Sequence, residues 1–426
     1  MAEHESQPQR PRTDRAAGFS TRAIRAAHRT PPVDQRPTSV PIYQTVTFSS
    51  ADAEELGAVL TGRTPGYAYS RIDNPTVAAL AGAVAELEGA EAGFALATGM
   101  AAIHAAILSI ASAGDRIVAT RAAYGTTRAQ FSGVMTRLGI STEFVDVADL
   151  AAVDAALSAA PTRILYAETI ANPTIVVADH RALAELAHRH GALYVVDNTF
   201  ASPYLCRPIE LGADLVIESA TKYLSGHSDV LAGVVCGRRD LVDAIATLEV
   251  DTGAALAPNS AFLVLRGIPT LAIRLDRQSA TAAQLASWLE RQEGIERVYH
   301  PSLPSHPQHD VARRELALGG GIFAFELAGG RAAGEAFIDA LSISELTASL
   351  GSVFTIVNHP PSTTHRQLDD AALADSGIAP GLLRCSVGLE DADDLLADFE
   401  AALGAARAAA GRTNAKPATD LAPTTV

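Results

Sequence analysis

The chain has 426 residues, enough for two domains, and its 48% hydrophobic residues can supply a core for each of them. A formal net charge of −15 argues against a nucleic-acid partner, because no basic stripe is available to neutralise phosphates. Three widely spaced cysteines contain no CxxC pair, which argues against a disulfide framework and a zinc site, so no metal is expected.

The chain also lacks the patterns of targeting and membrane segments. Its first residues, M-A-E-H-E-S-Q-P-Q-R-P-R, have no apolar centre like that of a signal peptide. No run of about 18 apolar residues, the length that a membrane helix requires, occurs anywhere. Together with the unpaired cysteines, these features predict a cytoplasmic protein that is neither secreted nor membrane-spanning.

The N-terminal part predicts little regular structure. Residues 1–18 are polar and rich in Pro and Arg, which is typical of a disordered leader. Residues 19–65 are interpreted as an N-terminal arm, in which the stretch Thr38–Ser50 mixes apolar and polar residues without a helical period. This stretch predicts an extended segment that reaches over the surface or onto a partner. In the loop that follows, Asn74 and Pro75 form a turn that opens a helix over residues 77–87.

Residues 66–267 are predicted to form the larger domain. Within it, the block from about 90 to 237 alternates apolar strand-like runs with helical patterns, which indicates parallel βα units. One helix is predicted at about 180–190, with Asp179 as its N-cap and Gly191 just past its end. Ligands of such sheets bind beyond the carboxyl ends of the strands. The candidate strands are Gly93–Ala97, Arg116–Thr120, Arg163–Glu168, Ala192–Asp197, Asp214–Glu218 and Val230–Gly237.

From residue 268 the pattern changes. A long amphipathic helix over Thr270–Gln292 precedes a connection with Pro and His, further strands and a terminal helix over Ala392–Ala408. Residues 268–410 are therefore interpreted as a smaller α+β domain, and residues 411–426 as a disordered tail.

The use of lysine singles out one residue. Only two lysines occur, and Lys416 lies in the predicted tail, so Lys222 is the only lysine of the predicted folded body. It follows an apolar strand in the stretch D-L-V-I-E-S-A-T-K-Y-L-S-G. Unlike Arg, Lys can lose its proton and form a Schiff base with a carbonyl.

Other strand ends supply matching groups. The sequence A-T-G-M-A-A-I-H-A-A-I places Gly99 where a strand leads into an Ala-rich helix, so backbone N–H groups and the helix dipole can hold a phosphate. Ser219 and Thr221 flank Lys222 in the sequence and are predicted to add hydroxyl donors to the same anion. Asp197 ends an apolar strand, where a carboxylate needs a cationic partner unless it caps a helix. A phosphate site, a Schiff-base lysine and such an Asp are the parts that pyridoxal phosphate (PLP) requires.

At these motifs the chain resembles the Cys/Met-metabolism, or trans-sulfuration, family of PLP enzymes. The resemblance spans about residues 20–410 and implies the α/β fold type I scaffold, similar to aspartate aminotransferase, with a mainly parallel sheet in the major domain and a smaller C-terminal α+β domain. The motifs that carry it are Y-S-R-I-D-N-P-T, A-T-G-M-A-A-I, V-V-D-N-T-F, S-A-T-K-Y-L-S-G-H and L-R-C-S-V-G-L-E-D.

The resemblance also implies roles for individual residues. Lys222 forms the Schiff base with the cofactor and moves protons, and Tyr124 stacks on the cofactor ring and acts as acid or base. Arg384 binds the substrate α-carboxylate, with Ser349 and Asn172 beside it. The further cofactor-binding residues that it implies are Asp197 at the ring nitrogen, Asn172 near the phenolic oxygen, and Gly99, Met100, Ser219, Thr221, Tyr69 and Arg71 at the phosphate.

Tyr69 and Arg71 belong to the neighbouring subunit in this family, so the resemblance implies a homodimer with shared active sites, commonly assembled as a homotetramer. It implies an amino-acid substrate that loses a group from its γ-carbon. Whether hydrolysis to a 2-oxo acid and ammonia follows, or addition of a new nucleophile, is not decided by these motifs.

The predicted pocket resembles methionine γ-lyases more than cystathionine enzymes. Cystathionine enzymes carry Glu where this chain has Ala348 and Arg where it has Ala129, so two charged contacts to a distal amino acid are missing. The chain departs from methionine γ-lyases at Thr126, where they carry Cys, and at Glu249 and Val250, where they carry Lys-Asp. The run His359–Leu368 is similar to homoserine-ester sulfhydrylases.

These comparisons favour a γ-lyase acting on methionine or a homocysteine-like substrate. A γ-replacement enzyme of the O-acetylhomoserine sulfhydrylase or cystathionine γ-synthase type, a cystathionine γ-lyase, and an enzyme of a specialised biosynthetic pathway stay open. Two other classes fit less well. A binding protein without turnover needs no such set of residues, and a nicotinamide dehydrogenase lacks its G-x-G-x-x-G after the first strand.

Overall fold

The computed structural model describes residues 37–363, residue 373 and residues 377–414. The predicted leader (1–18), the first part of the arm (19–36), residues 364–368 of the sulfhydrylase-like run and residues 415–426 of the predicted tail lie outside the described residues. No described helix is both long and apolar enough to cross a membrane.

A seven-stranded sheet forms the larger layer, with the order β1-β7-β6-β5-β4-β2-β3. One predicted strand has the predicted bounds, and the others agree within three residues. The seven strands are β1 Ala92–Leu96, β2 Arg116–Thr120, β3 Ser141–Val145, β4 Ile164–Glu168, β5 Leu193–Asp197, β6 Leu215–Glu218 and β7 Gly233–Gly237.

The sheet is mainly parallel, as predicted, but β7 pairs antiparallel with both β6 and β1. A parallel return to the same sheet needs a crossover, usually a helix, and residues 219–232 hold only turns. The prediction of parallel βα units is therefore wrong for this strand. Sequence reasoning also missed β3, because its residues S-T-E-F-V begin with three polar side chains and show no apolar run; the strand lies at the sheet edge and is largely accessible.

The inner parallel strands, β2, β4, β5 and β6, are buried on both faces by helices. In β2, for example, Ile117 and Ala119 contact one apolar cluster and Val118 contacts the other. Burial on both faces explains the continuous apolar runs seen in the sequence. Each fully buried Ile or Val side chain contributes roughly 1.5–3 kcal/mol.

The helices begin and end at recognisable signals. Asn74 caps the first long helix through its side chain, and Asp179 caps the helix at residue 180 as predicted. The helices are α1 Ala53–Leu60, α2 Pro75–Glu88, α3 Gly99–Ile110, α4 Gly125–Ala129, α5 Leu150–Ala159, α6 His180–Arg189, α7 Ser202–Leu205, α8 Arg239–Thr252, α9 Pro258–Gly267, α10 Leu271–Leu289, α11 His309–Glu315, α12 Gly330–Ala340 and α13 Ala392–Asn414, with a π-helix at Gln130–Met135 and 3₁₀ turns at Pro208–Leu211, Ile268–Thr270 and Pro360–Ser362.

A second sheet follows α10. Its five strands have the order β10-β11-β12-β9-β8 and share an aromatic core of Phe323, Phe325, Phe337 and Phe399. The predicted domain boundary at residue 267 stays a prediction, although it coincides with the end of α9. The strands are β8 Ile295–Tyr299, β9 Ile322–Leu327, β10 Glu345–Leu346, β11 Ile356–Asn358 and β12 Leu382–Ser386.

Candidate active site

A cavity of about 630 Å³ lies where the carboxyl ends of β4, β5 and β6 face the second sheet. Nine of the predicted site residues line it: Gly99, Met100, Tyr124, Asn172, Asp197, Ser219, Thr221, Lys222 and Arg384. A depression of similar size beside α5 is open to solvent and contains none of them. The structure therefore gathers in one place residues that are up to 285 positions apart, from Gly99 to Arg384.

Lys222 projects into this cavity from the turn that follows β6. Its Nζ donates a hydrogen bond to Ser349 Oγ at 3.0 Å, so Ser349, which the sequence analysis placed at the substrate, contacts the amine directly. Burial, reinforced by the Arg384 guanidinium, lowers the pKa of Lys222 to about 8. The loop of Ser349 can approach because Gly351 has a φ of +73°, and a Cβ there would lie 2.8 Å from the Tyr223 nitrogen.

The predicted phosphate site lies at the N-terminus of α3. Thr98 caps this helix by accepting the Ala101 N–H at 3.0 Å. The N–H groups of Gly99 and Met100 take no part in this cap. A Cβ on Gly99 would lie 2.7 Å from Ser219 Oγ, so only glycine permits this approach. The Thr221 hydroxyl lines the cavity and also exchanges hydrogen bonds with the backbone of Ala232.

Asp197 lies at the end of β5 on the cavity wall. Its carboxylate accepts the Thr199 N–H at 3.0 Å and lies 3.5 Å from the Tyr166 hydroxyl. Withdrawal from bulk water raises the pKa of Asp197, although the side chain keeps some surface accessible to the cavity. The alternative role of helix cap is wrong, because the N-cap of the next helix, α7, is Ala201.

Arg384 reaches the cavity from β12 of the second sheet and is buried. Its Nη1 donates to Asn172 Oδ1 at 2.9 Å, and its Nη2 donates to the Ser349 carbonyl at 2.7 Å. Its Nε has no hydrogen-bond partner among the described residues. Burial lowers the pKa of Arg384 to about 10. A buried cation with an unused donor suits an anionic ligand, as a carboxylate would be.

Sequence reasoning missed one buried group, Glu168 at the end of β4, which also lines the cavity. It accepts the Tyr124 N–H at 2.6 Å and the Asn172 N–H at 3.3 Å. The signal that identified Asp197, a carboxylate at the end of an apolar strand, was available for Glu168 too. The two residues are paired directly in the register of β4 and β5.

Tyr69 and Arg71 do not line the cavity of their own chain. The Arg71 guanidinium lies over the Tyr69 ring, 5.6 Å from its centroid, and donates to the Val250 carbonyl. Tyr69 is 39% exposed. Their placement in a neighbouring subunit's site stays a prediction.

Residues 20–404 match the family model described as Cys/Met metabolism PLP-dependent enzyme. The chain is 46% identical over 396 residues to the L-methionine γ-lyase of Pseudomonas putida, covering 92% of this chain and 99% of that protein. It is 42% identical over 389 residues to the O-succinylhomoserine sulfhydrylase of Pseudomonas aeruginosa, covering 91% and 96%. The crystal structure of cystathionine γ-synthase from Xanthomonas oryzae pv. oryzae in complex with aminoacrylate and cysteine has a TM-score of 0.83 and 37% identity, covering 87% of this chain and 94% of that one.

Proposed function

Because the chain belongs to the Cys/Met metabolism family of PLP-dependent enzymes, we propose that it is a carbon–sulfur lyase that performs γ-elimination on a sulfur amino acid of the methionine or homocysteine type. The products are 2-oxobutyrate, ammonia and a thiol. The observation that carries this proposal concerns the described residues that line the cavity: apart from Glu168 and the residues assigned to the cofactor and the α-carboxylate, none of them is charged.

The charged side chains that line the cavity are Glu168, Asp197, Lys222 and Arg384. The wall near the mouth is formed by small or apolar residues: Thr126, Ala129, Leu231 and Ala348. A thioether or thiol on the γ-carbon loses little by contact with such a wall, whereas the distal ammonium and carboxylate of cystathionine would lose hydration without gaining a charged partner from the described residues. The wall therefore favours an uncharged γ-substituent.

The residues present fit the cofactor of the family. The N-terminus of α3, with Gly99 and Ser219 in close approach, would hold the phosphate, and Asp197 would stabilise a protonated ring nitrogen. When bound, PLP supplies a carbonyl for amines and an electron sink for the bonds at the substrate α-carbon. Lys222 is the amine of this chain that reaches the cavity.

Four side chains of this chain perform the remaining work. Arg384 orients the substrate through its α-carboxylate, for which the unused Nε provides a donor. Lys222, with its pKa lowered to about 8, is in part a neutral base at neutral pH and moves the protons at the α- and β-carbons. Ser349 holds the amine between these transfers by accepting its hydrogen bond at 3.0 Å. Tyr124, which is 42% exposed at the cavity mouth, is the acid or base beside the leaving group.

The second candidate is γ-replacement, in which a thiol or cysteine adds after the γ-substituent leaves. The 42% identity to a sulfhydrylase is nearly as high as the identity to the γ-lyase and favours this candidate. The sulfhydrylase-like run adds no support from geometry, because His359 is buried and bonds to Ser362 and the Pro380 carbonyl.

We also propose a homodimer with shared active sites, assembled as a homotetramer in the cytoplasm, in which the partner's Tyr69 and Arg71 complete the phosphate site. The support is a set of exposed apolar side chains on the arm and beside it: Ile42, Tyr43, Val46 and Tyr69. Single exposed apolar residues are normal, but several on one short stretch mark an interaction surface.

The deciding experiment supplies purified holoenzyme with L-methionine, L-homocysteine, L-cystathionine or O-acetyl-L-homoserine and measures 2-oxobutyrate and thiol. We expect 2-oxobutyrate from methionine or homocysteine alone. Product that appears only when a homoserine ester and a thiol are supplied together would establish γ-replacement instead. Lys222→Ala is the matched control and should abolish every product.

A further inference from the structure

Glu168 has a position that the proposed chemistry does not explain. It is 6% exposed, it ends β4, and no described cation forms an ion pair with it. Its two oxygens instead accept two backbone N–H groups, one from Tyr124 at 2.6 Å and one from Asn172 at 3.3 Å. These N–H groups belong to two different loops, which follow β2 and β4.

Both loops carry residues assigned to the active site. Tyr124 is the first residue before α4, and its side chain makes no capping bond there, so the Glu168 contact fixes the backbone at the point where the ring enters the cavity. Asn172 holds Arg384 Nη1 through its side chain at 2.9 Å. One carboxylate therefore joins the loop of the predicted stacking ring to the loop that holds the predicted carboxylate-binding cation.

We propose that Glu168 is a positioning residue that sets the place of Tyr124 and, through Asn172, the place of Arg384, so that the cofactor ring and the substrate α-carboxylate are held in one fixed relation. The inference rests on the proposed function for the roles of Tyr124 and Arg384. The two hydrogen bonds that Glu168 accepts from the two loops, which together form a clamp, do not depend on that function. The fold has brought together residues 44 and 212 positions apart to build the clamp.

Further hydrogen bonds continue from Arg384 across the cavity. Arg384 Nη2 donates to the Ser349 carbonyl at 2.7 Å, and the Ser349 hydroxyl accepts from Lys222 at 3.0 Å. The clamp thus extends from the larger sheet to the second sheet and ends at the reactive amine. Loss of an acceptor at Glu168 should displace the two loops most and the Arg384 guanidinium less, because each step along this chain is a single hydrogen bond.

Glu168→Gln tests the clamp with little change of volume. The amide oxygen can accept one N–H, but the amide NH₂ cannot accept the other, so one loop loses its anchor. A buried N–H group that loses its acceptor corresponds to roughly a 10- to 100-fold equilibrium effect, and we expect amide hydrogen exchange to speed up by about that factor in peptides that contain Tyr124 or Asn172. The measurement uses the full-length chain with and without PLP.

The functional readouts are the KM for the amino acid, kcat, and the visible circular dichroism of the bound cofactor. We expect Glu168→Gln to raise the KM through Arg384 and to alter the dichroic band through Tyr124, and Glu168→Asp, which keeps the acceptor oxygens, to recover part of both effects. Glu315→Gln is the matched control, because Glu315 is equally buried but bonds to Arg314 away from the cavity. If Glu168→Gln does not fold, Glu168→Asp is used in its place; its side chain is one methylene shorter, so the same changes in exchange, KM and dichroic band are expected at reduced size.

Two outcomes would overturn the inference. Unchanged exchange at the two loops would show that Glu168 does not clamp them, whatever reaction the enzyme performs. Faster exchange with an unchanged KM and dichroic band would show a clamp without consequence for the site. Failure of methionine as a substrate, in contrast, would refute the proposed function and leave the exchange result standing.

Discussion

The lowered pKa of Lys222 predicts how fast the apoprotein takes up its cofactor at neutral pH. Only the neutral amine attacks a carbonyl. With a pKa of about 8, about one amine in ten is neutral at pH 7, whereas an ordinary lysine with a pKa near 10.5 has about one in 3,000. The structure therefore predicts roughly 300-fold more reactive amine at pH 7 than an exposed lysine would provide.

The assay mixes apoprotein with PLP between about pH 6 and about pH 10 and follows the visible absorption of the bound cofactor. The uptake rate should rise with pH and level off above a midpoint near 8. Arg384→Met removes the second cause of the shift, so the midpoint should rise, yet it should stay below 10.5 because burial is the larger cause. A wild-type midpoint at or above about 10 would refute the reasoning.

Lys222→Ala is the control for this assay. It leaves Lys416 and the α-amino group, which are other primary amines of the chain. The α-amino group has an ordinary pKa near 8, so its own reaction with PLP would imitate the predicted midpoint. Absorbance that persists in Lys222→Ala must therefore be subtracted before the midpoint is assigned to Lys222.

Three further results are expected. Ala348→Glu should lower kcat/KM for methionine by at least about 10-fold, because it adds a charge to an apolar wall. The same substitution should lower kcat/KM for cystathionine by a smaller factor. An equal loss for both substrates would contradict the argument that the wall favours an uncharged substituent. Mixing inactive Lys222→Ala and Arg71→Ala subunits should restore about a quarter of wild-type activity, because half of the randomly formed dimers regain one complete site, whereas no recovery would exclude shared sites. Burial raises the pKa of Glu88 from 4.5 to about 7, so between these pH values the folded protein binds a proton that the unfolded chain releases. The free energy of unfolding should therefore fall, by at most about 3 kcal/mol, as the pH rises from 4.5 to 7. In Glu88→Gln, the free energy of unfolding measured with urea should depend less on pH than in the wild type. An unchanged pH dependence would rule out Glu88 as its source.

The sequence predicted the elements whose patterns are local. Apolar runs identified six strands of the larger sheet, and Asn74 and Asp179 marked helix starts through side-chain caps that involve only the next few residues. It missed β3, an edge strand with polar residues on one face, and the antiparallel direction of β7, because direction depends on the connection between strands and not on the residues within them.

In the candidate site, too, some features follow from local sequence patterns and others only from the tertiary structure. Lys222, Asp197 and Gly99 could be found from sequence because each stands at the end of an apolar strand, and parallel strands bring such ends to one edge. The family resemblance added Arg384 and Ser349, but no local pattern indicates that Ser349 contacts an amine 127 residues earlier or that Arg384 bonds to Asn172.

The chain by itself thus determined which chemical groups are present and which edge of the sheet they occupy, since backbone periodicity and turn residues act over a few positions. Only the tertiary structure decided the partners: the packing of the second sheet against the first brought Arg384 and Ser349 to Lys222 and lowered the pKa of that amine. It also turned Glu168 from one more strand-end carboxylate into the acceptor of two loops. Contacts of this kind depend on how two layers pack, and desolvation depends on everything around a group, so neither is encoded in any short stretch of sequence.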